Sequence, residues 1–241
     1  MRTIKKVASH IFIDGFGGMT QGLFATLIIG TMIQQIGLLI GGSTGNVIYL
    51  LGKAAAALTS AGIGVGVAVK YGESPLVTVS AAVAAMVGGY AGKITGGTFF
   101  VDGNAVLAGP GEPLGAFIAA FAGITCGHLV SGKTKVDIIV TPVITIGAGS
   151  VVGLLVGPPI SQMMTGLGSI INWATEQRPF IMGIVVSVVM GMVLTLPISS
   201  AALGIILNLS GLAAGAATVG CCANMVGFAV ASYKDNKVNG L

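Results

Sequence analysis

The stretch that decides the fold is PFIMGIVVSVVMGMVLTLPISSAALGIILNLSGLAAGAATVGCCANMVGFAVASY, residues 179–233, which contains no Asp, Glu, Lys or Arg. A second uncharged run, residues 138–175, lies between Asp137 and Glu176. Uncharged apolar runs longer than about 18 residues are typical of helices that cross a bilayer, because such helices satisfy every backbone N–H and C=O within the segment. The chain is therefore predicted to be a multi-span helical membrane protein.

The overall composition supports this prediction. Charged residues make up 7% of the chain, against about 25% in typical soluble proteins. Apolar residues make up 54% of the chain, and the mean hydropathy is +0.98. The net charge of +4 does not indicate a nucleic-acid partner, because the basic residues are few and lie mostly at predicted helix ends. The expected surroundings are a lipid bilayer.

Glycine is unusually frequent, with 40 residues in 241. Helices in lipid associate by close van der Waals approach, which small residues one turn apart permit. We expect most of these glycines to serve helix packing, and some to lie in broken helices or re-entrant loops. Pairs and triplets at four-residue spacing are Gly18/Gly22, Gly62/Gly66, Gly88/Gly92/Gly96, Gly123/Gly127, Gly149/Gly153/Gly157 and Gly211/Gly215.

The apolar segments predict an all-α, polytopic fold of about seven transmembrane helices with re-entrant or broken segments, in a single transmembrane domain over residues 1–241. Gly157-Pro158-Pro159 is expected to end the fifth span, and residues 160–175, with Trp173, are expected to form an interfacial helix. Re-entrant segments are expected near 92–113 and 197–207. The apolar segments are residues 11–40, 47–69, 76–91, 114–130, 136–156, 180–196 and 203–231.

Basic residues predict the orientation of the chain. By the positive-inside rule, their three clusters should face the cytoplasm. Both termini would then lie on one side, which an odd number of spans does not allow, and a re-entrant segment would resolve the conflict. The clusters are Arg2/Lys5/Lys6, Lys133/Lys135 and Lys234/Lys237.

The first candidate binding segment is residues 92–113, where Asp102, Asn104 and Glu112 lie in glycine-rich, irregular sequence between two spans. Charged groups at membrane depth cost about 2.5–3.5 kcal/mol on insertion scales and are functional candidates by default. Carboxylates beside exposed carbonyls suit a polyhydroxylated ligand or a cation. The alternative is a surface loop outside the bilayer.

The second candidate segment begins at Pro197, which interrupts an apolar run and is followed by Ser199 and Ser200. Proline frees backbone carbonyls, and the two hydroxyls could bind a ligand, repair the helix or mark a hinge. The three cysteines form no metal-ligand pattern and are interpreted as packing residues. With no nucleotide loop and no Ser/His/Asp arrangement either, we expect no catalytic residues, no metal and no cofactor.

The order of features from Gly115 to Ile205 resembles the membrane (IIC) subunits of the bacterial sugar phosphotransferase system, closest to the fructose-type branch. The similar parts are a glycine-rich span, a Lys-Val-Asp-Ile-Ile-Val-Thr-Pro entry at 135–142, Val-Gly-Pro-Pro at 156–159, an amphipathic stretch at 167–173 and Leu-Pro-Ile-Ser-Ser-Ala-Ala at 196–202. The N-terminal span and the stretch Lys-Tyr-Gly-Glu-Ser-Pro-Leu at 70–76 are similar to a stand-alone IIC-like family that includes regulators of toxin expression.

This resemblance implies uptake of a small sugar or related polar solute by alternating access, in a bacterial plasma membrane. It makes Glu112 a ligand of sugar hydroxyls, through a loose likeness of residues 109–113 to the acidic Gly-x-x-Glu-Pro loop of IIC proteins. Sugar phosphorylation would need separate IIA and IIB partner proteins. The fructose-type Asp-x-Gly-Gly-Pro-x-Asn-Lys loop is replaced by Leu-Pro-Ile-Ser-Ser at 196–200, which puts phosphorylation in doubt.

Three functions from different classes remain open on the sequence. The first is a transporter whose site is lined by Asp102, Asn104, Glu112, Ser199 and Ser200. The second is a membrane sensor or regulator that kept the fold without transport, and the third is an ion-coupled carrier or channel. The solute is not specified, and the oligomeric state, a homodimer included, is left open.

Overall fold

The computed structural model describes residues 14–101, 104–107, 109–193, 204, 207 and 209–239. This part of the chain is almost entirely helical. Its helices are α1 (Phe16–Leu23), a π-helix (Phe24–Ile28), α2 (Ile29–Ile40), α3 (Gly42–Ala57), α4 (Thr59–Lys70), α5 (Pro75–Gly89), α6 (Ala91–Thr95), α7 (Pro113–Val130), α8 (Asp137–Gln177), α9 (Pro179–Val193) and α10 (Gly211–Asn239). Strands β1 (Phe100–Val101) and β2 (Asn104–Ala105) form one small antiparallel pair.

Each of the seven predicted apolar segments overlaps a helical segment, although α8 runs on to Gln177 and α10 begins only at Gly211. Within the described residues, four are long and apolar enough to cross a membrane, and α3 with α4, bent by 53° at their junction, makes a fifth if the pair is one span. Two more, Pro75–Gly89 and Pro179–Met192, are apolar but shorter. The all-α, polytopic membrane fold is confirmed, and seven full crossings stay a prediction. The four are Phe16–Ile40, Pro113–Val130, Asp137–Gln177 and Gly211–Tyr233.

The predicted end of the fifth span is wrong. Helix α8 is continuous from Asp137 to Gln177 and contains Pro142, Pro158 and Pro159. Proline removes a backbone hydrogen bond, but its fixed φ near −65° is itself helical, so a helix can continue through it at a cost. Residues 160–175 are therefore part of a longer helix, and their location in the membrane interface stays a prediction.

The chain divides into two compact units, Met1–Gln162 and Met163–Leu241. A single transmembrane domain over the whole chain stays a prediction. The second unit is built on the pairing of α9 with α10. There the carbonyl oxygen of Ser187 faces Gly220, and Asn224 donates from Nδ2 to the carbonyl oxygen of Gly191 at 2.8 Å.

The first unit begins with an antiparallel helical hairpin, in which residues 16–40 run out and residues 42–70 return. Glycines let the two backbones touch at four levels. A Cβ built on Gly22 would lie 2.2 Å from the carbonyl oxygen of Gly62, and one on Gly66 would lie 2.3 Å from that of Gly18. The predicted packing role of the first two glycine pairs is confirmed. The facing pairs are Gly18/Gly66, Gly22/Gly62, Gly30/Gly52 and Gly37/Gly45.

Small residues also join the rest of the first unit. Helix α5 packs against α4 and α7, and Gly88 faces Gly115 backbone to backbone. The first half of α8 reaches the same core, since Gly123 faces the carbonyl oxygen of Thr145. The interior is filled by alanine and a few larger side chains. Those with no more than 2% exposure include Leu23, Ile63, Val67, Val77, Tyr90 and Ile124.

We expect Gly22→Ala to destabilise the protein by about 1–3 kcal/mol. The new methyl group would overlap the carbonyl oxygen of Gly62, which is fixed in the helix backbone and cannot move away as a flexible side chain could. Thermal unfolding of the purified protein in detergent measures the change. Gly147→Ala is the matched control, since Gly147 is also helical and has nothing within 4 Å of an added Cβ. Equal melting temperatures for the two variants would contradict the glycine contact.

Candidate functional site

The predicted re-entrant segment near 92–113 begins with the short helix α6 and continues as irregular backbone around the β1–β2 pair. Val101 pairs with Asn104 in this small hairpin. Left-handed glycines shape the chain on either side, with φ values of 70° at Gly97, 82° at Gly109 and 75° at Gly111. Such conformations are accessible to glycine at little cost. The described residues between α6 and α7 are thus non-helical, and the depth of the segment in a membrane stays a prediction.

The segment lies against a break in the long return helix of the hairpin. Helix α3 ends at Ala57, α4 begins at Thr59, and Leu58 stands between them. A helix break leaves carbonyl oxygens without their usual backbone donors. The Thr59 hydroxyl donates to the carbonyl oxygen of Ala56 at 2.6 Å, and the Tyr90 hydroxyl lies 3.3 Å from that of Ala57. Backbone N–H groups still reach the carbonyl oxygens of Ala55 and Ala56, and the two hydroxyls add donors at Ala56 and Ala57.

Residues 109–112, the acidic loop, are fastened to this break by hydrogen bonds. The Tyr90 hydroxyl also donates to the carbonyl oxygen of Gly109. The Ser60 hydroxyl donates to the carbonyl oxygen of Pro110 at 3.0 Å. Each contact joins residues far apart in sequence. The loop is therefore held across the break by two buried hydroxyl groups.

The loop approaches α4 and α5 so closely that only glycine fits at position 111. A Cβ on Gly111 would lie 2.4 Å from the Ser60 Oγ, and the positive φ at Gly111 already disfavours other residues. The backbone N–H of Glu112 donates to the carbonyl oxygen of Gly89 at 2.7 Å, which ties the loop to the end of α5.

The Glu112 carboxylate caps helix α7. It accepts hydrogen bonds from the backbone N–H groups of Leu114, at 3.3 Å, and Gly115, at 2.5 Å, and Pro113 occupies the first turn. Proline suits that position because its missing N–H would have no helical partner there. The side chain is partly buried. An ionised carboxylate has about four acceptor positions, so this cap leaves acceptor capacity for another donor.

Of the five predicted binding residues, Asn104 and Glu112 are described. Asn104 is exposed in β2, whereas Glu112 is partly buried at the start of α7. Asp102, Ser199 and Ser200 lie outside the described residues, as does most of the predicted re-entrant segment near 197–207. Their binding roles therefore stay predictions.

Sequence reasoning missed Ser60 and Tyr90, which hold the acidic loop. Both are buried, with exposures of 0% and 1%. A signal for Ser60 was present, because Thr59 and Ser60 are adjacent hydroxyl residues inside the apolar segment 47–69. Buried hydroxyls need partners, but the sequence does not say which carbonyls accept from them.

The opposite end of the first unit gathers polar residues from the α4–α5 turn and the end of α7. Glu73 Oε1 lies 2.9 Å from Nδ1 of His128, and the hydroxyls of Ser74 and Ser131 lie 3.1 Å apart. Burial and the nearby charge of Asp14 raise the pKa of Tyr71, in the same turn, to about 12. The loop that carries Lys133 and Lys135 follows here, and its location on the cytoplasmic side stays a prediction.

These features define a multi-span helical membrane protein with a broken helix and an acidic loop fastened across the break. The family model described as "Phosphotransferase system, EIIC" matches residues 13–241, and the chain belongs to this family. No curated protein matches the chain. No solved structure matches it either.

We expect Glu112→Ala to lower the stability of the protein by about 1 kcal/mol, because the N-terminal N–H groups of α7 lose their acceptor. Glu112→Gln should cost less, since its amide oxygen can still accept one of those hydrogen bonds. Thermal unfolding in detergent compares the two variants. If both melt together with the wild type, the cap does not contribute to stability.

Proposed function

We propose that this protein is an EIIC-like transporter of a small sugar or related polar solute, working by alternating access around a polar, membrane-embedded site. The proposed site is lined by Asp102, Asn104, Glu112, Ser199 and Ser200. The observation that carries the proposal is the attachment of the acidic loop to the broken helix between α3 and α4. The binding sites of many transporters are formed by discontinuous helices near the middle of the membrane.

The chemistry of the loop suits a hydroxylated solute. The Glu112 carboxylate uses part of its acceptor capacity on the α7 cap, and the rest can accept from sugar hydroxyl groups. Irregular backbone at membrane depth is tolerated where it is covered by protein or lines a wet cavity. The buried hydroxyls of Ser60 and Tyr90 provide such cover on one side of the loop.

Family membership also bears on the partners and the location. The phosphoryl group of a phosphotransferase reaction would come from separate IIA and IIB proteins, which are proposed partners on the side of Lys133 and Lys135. The stretch Leu196–Ser200 lacks the carboxylate, asparagine and lysine of the fructose-type loop. We therefore propose solute uptake without requiring phosphorylation by this chain. The proposed location is the plasma membrane of a bacterial cell.

The test starts from the purified wild type reconstituted in proteoliposomes. A thermal-stabilisation screen over sugars, sugar alcohols and organic acids identifies a solute, and uptake of the radiolabelled hit is then measured with and without a phosphoryl-donor system. We expect Glu112→Gln to reduce uptake at least tenfold, because the neutral amide accepts hydrogen bonds from hydroxyl groups less strongly than a carboxylate does.

Glu73→Gln is the control for that experiment. Glu73 lies at the opposite end of the first unit, beside His128, so uptake should stay within about twofold of the wild type. Absence of both stabilisation and uptake for every solute would replace the transporter with a membrane sensor or regulator. Uptake that follows a Na⁺ or H⁺ gradient and is lost in Asp102→Asn would replace it with an ion-coupled carrier.

A further inference from the structure

Both helices of the first hairpin are irregular at the same level. The outward helix contains the π-helix Phe24–Ile28, and the return helix is broken at Leu58. The glycine contact of Gly22 with Gly62 lies on one side of this level, and that of Gly30 with Gly52 lies on the other. We call this level, residues 24–28 and Leu58, the paired hinge. Bending is easier here, because neither helix has a regular turn that would oppose a bend in the other.

Beyond this hinge, residues 29–57 form an arm that packs on itself. Every buried residue of α2 and α3 lies at their mutual contact. Most large apolar side chains of the arm are exposed, and Leu39, at its tip, is 87% exposed. The arm can therefore turn without opening the core of the first unit. The buried residues are Gly30, Gly37, Gly45, Gly52 and Ala56.

On the other side of the hinge, α1 and α4 belong to the packed core. Helix α1 packs against α4, and α4 packs against α5 and α7. Ile63 and Val67 of α4 are completely buried. The same hairpin therefore has one half in the packed core and another half whose buried residues lie in its own glycine contacts.

Tyr90 connects this hinge to the acidic loop. Its hydroxyl lies within hydrogen-bond distance of two carbonyl oxygens. One belongs to Ala57, where the arm meets the hinge, and the other to Gly109 in the acidic loop. A phenolic hydroxyl has one proton to donate, so the two carbonyls compete for it. The ring itself is held in place by burial and by Phe99, with ring centroids 5.4 Å apart.

We propose that residues 29–57 swing as a rigid arm about the paired hinge, and that Tyr90 is the positioning residue that couples the swing to the acidic loop. A solute that shifts the loop would change how strongly Gly109 competes for the Tyr90 proton, and thereby how firmly Ala57 is held. The role of this motion in transport rests on the proposed function, but the motion itself does not.

The test measures distances between spin labels on the full-length protein in lipid nanodiscs, by pulsed electron paramagnetic resonance. Labels replace Leu39 at the tip of the arm and Leu129, an exposed residue near the end of α7, in a background with Cys126, Cys221 and Cys222 replaced by alanine. We expect two distance populations in the wild type, and at least a twofold change in their ratio in Tyr90→Phe, which keeps the ring and removes the hydroxyl.

Two controls isolate the role of Tyr90. Labels at Val69 and Leu129, both outside the arm, should give one narrow distribution that Tyr90→Phe leaves unchanged, and a change there would overturn the rigid-core part of the proposal. Ser60→Ala loosens the loop without touching the contact of Tyr90 with Ala57. Its effect on the arm distances should therefore be smaller, and an equal effect would overturn the coupling by Tyr90.

A single arm-to-core distance, identical in the wild type and in Tyr90→Phe, would overturn the hinge itself. These outcomes are separate from those of the uptake experiment. A moving arm in a protein that takes up no solute would leave the hinge standing and remove the transporter. Uptake with a motionless arm would do the reverse.

Discussion

Direct backbone contact between helices is the constraint on which the rest of this structure depends. In lipid, an apolar side chain gains little by leaving the hydrocarbon for another helix, so association relies on close packing. At Gly22, and again at Gly88 and Gly115, any side chain would overlap a carbonyl of the facing helix. These contacts bring α5 and α7 side by side, which places both ends of the segment 90–112 near the helix break.

The second constraint is that freed carbonyls must find donors where water is absent. At the break at Leu58, backbone N–H groups still reach the carbonyls of Ala55 and Ala56, and the Tyr90 hydroxyl supplies a donor at the carbonyl of Ala57. Because Tyr90 also serves the acidic loop, the repair of the helix and the placement of the loop depend on one residue. A requirement of stability thereby becomes a connection between two parts of the proposed site.

Individual elements show how far the sequence could predict this arrangement. Each of the seven apolar segments overlaps a helix, because a helix satisfies the backbone of a long apolar run within the run itself. The stop at Pro158 was wrong, because proline's preferred φ is compatible with a helix and local sequence does not reveal whether the lost hydrogen bonds are tolerated. The charge of Glu112 in glycine-rich sequence is enough to predict a functional role. Its cap on α7 could have been predicted from Pro113, whereas the partners of Ser60 and Tyr90, 50 and 19 residues away, could not.

The sequence by itself determined that this protein lies in a lipid bilayer, that it is helical, and which glycine-bearing helix faces can pack together. These properties follow from local composition and from the fixed period of the helix. Only the tertiary structure decided that the acidic loop lies on a broken helix, and that a π-helix faces the break. Both are consequences of how distant segments align once the glycine contacts form, because the same small residues could pair in other registers. The chemistry of each residue is local, but the choice of its partner is not.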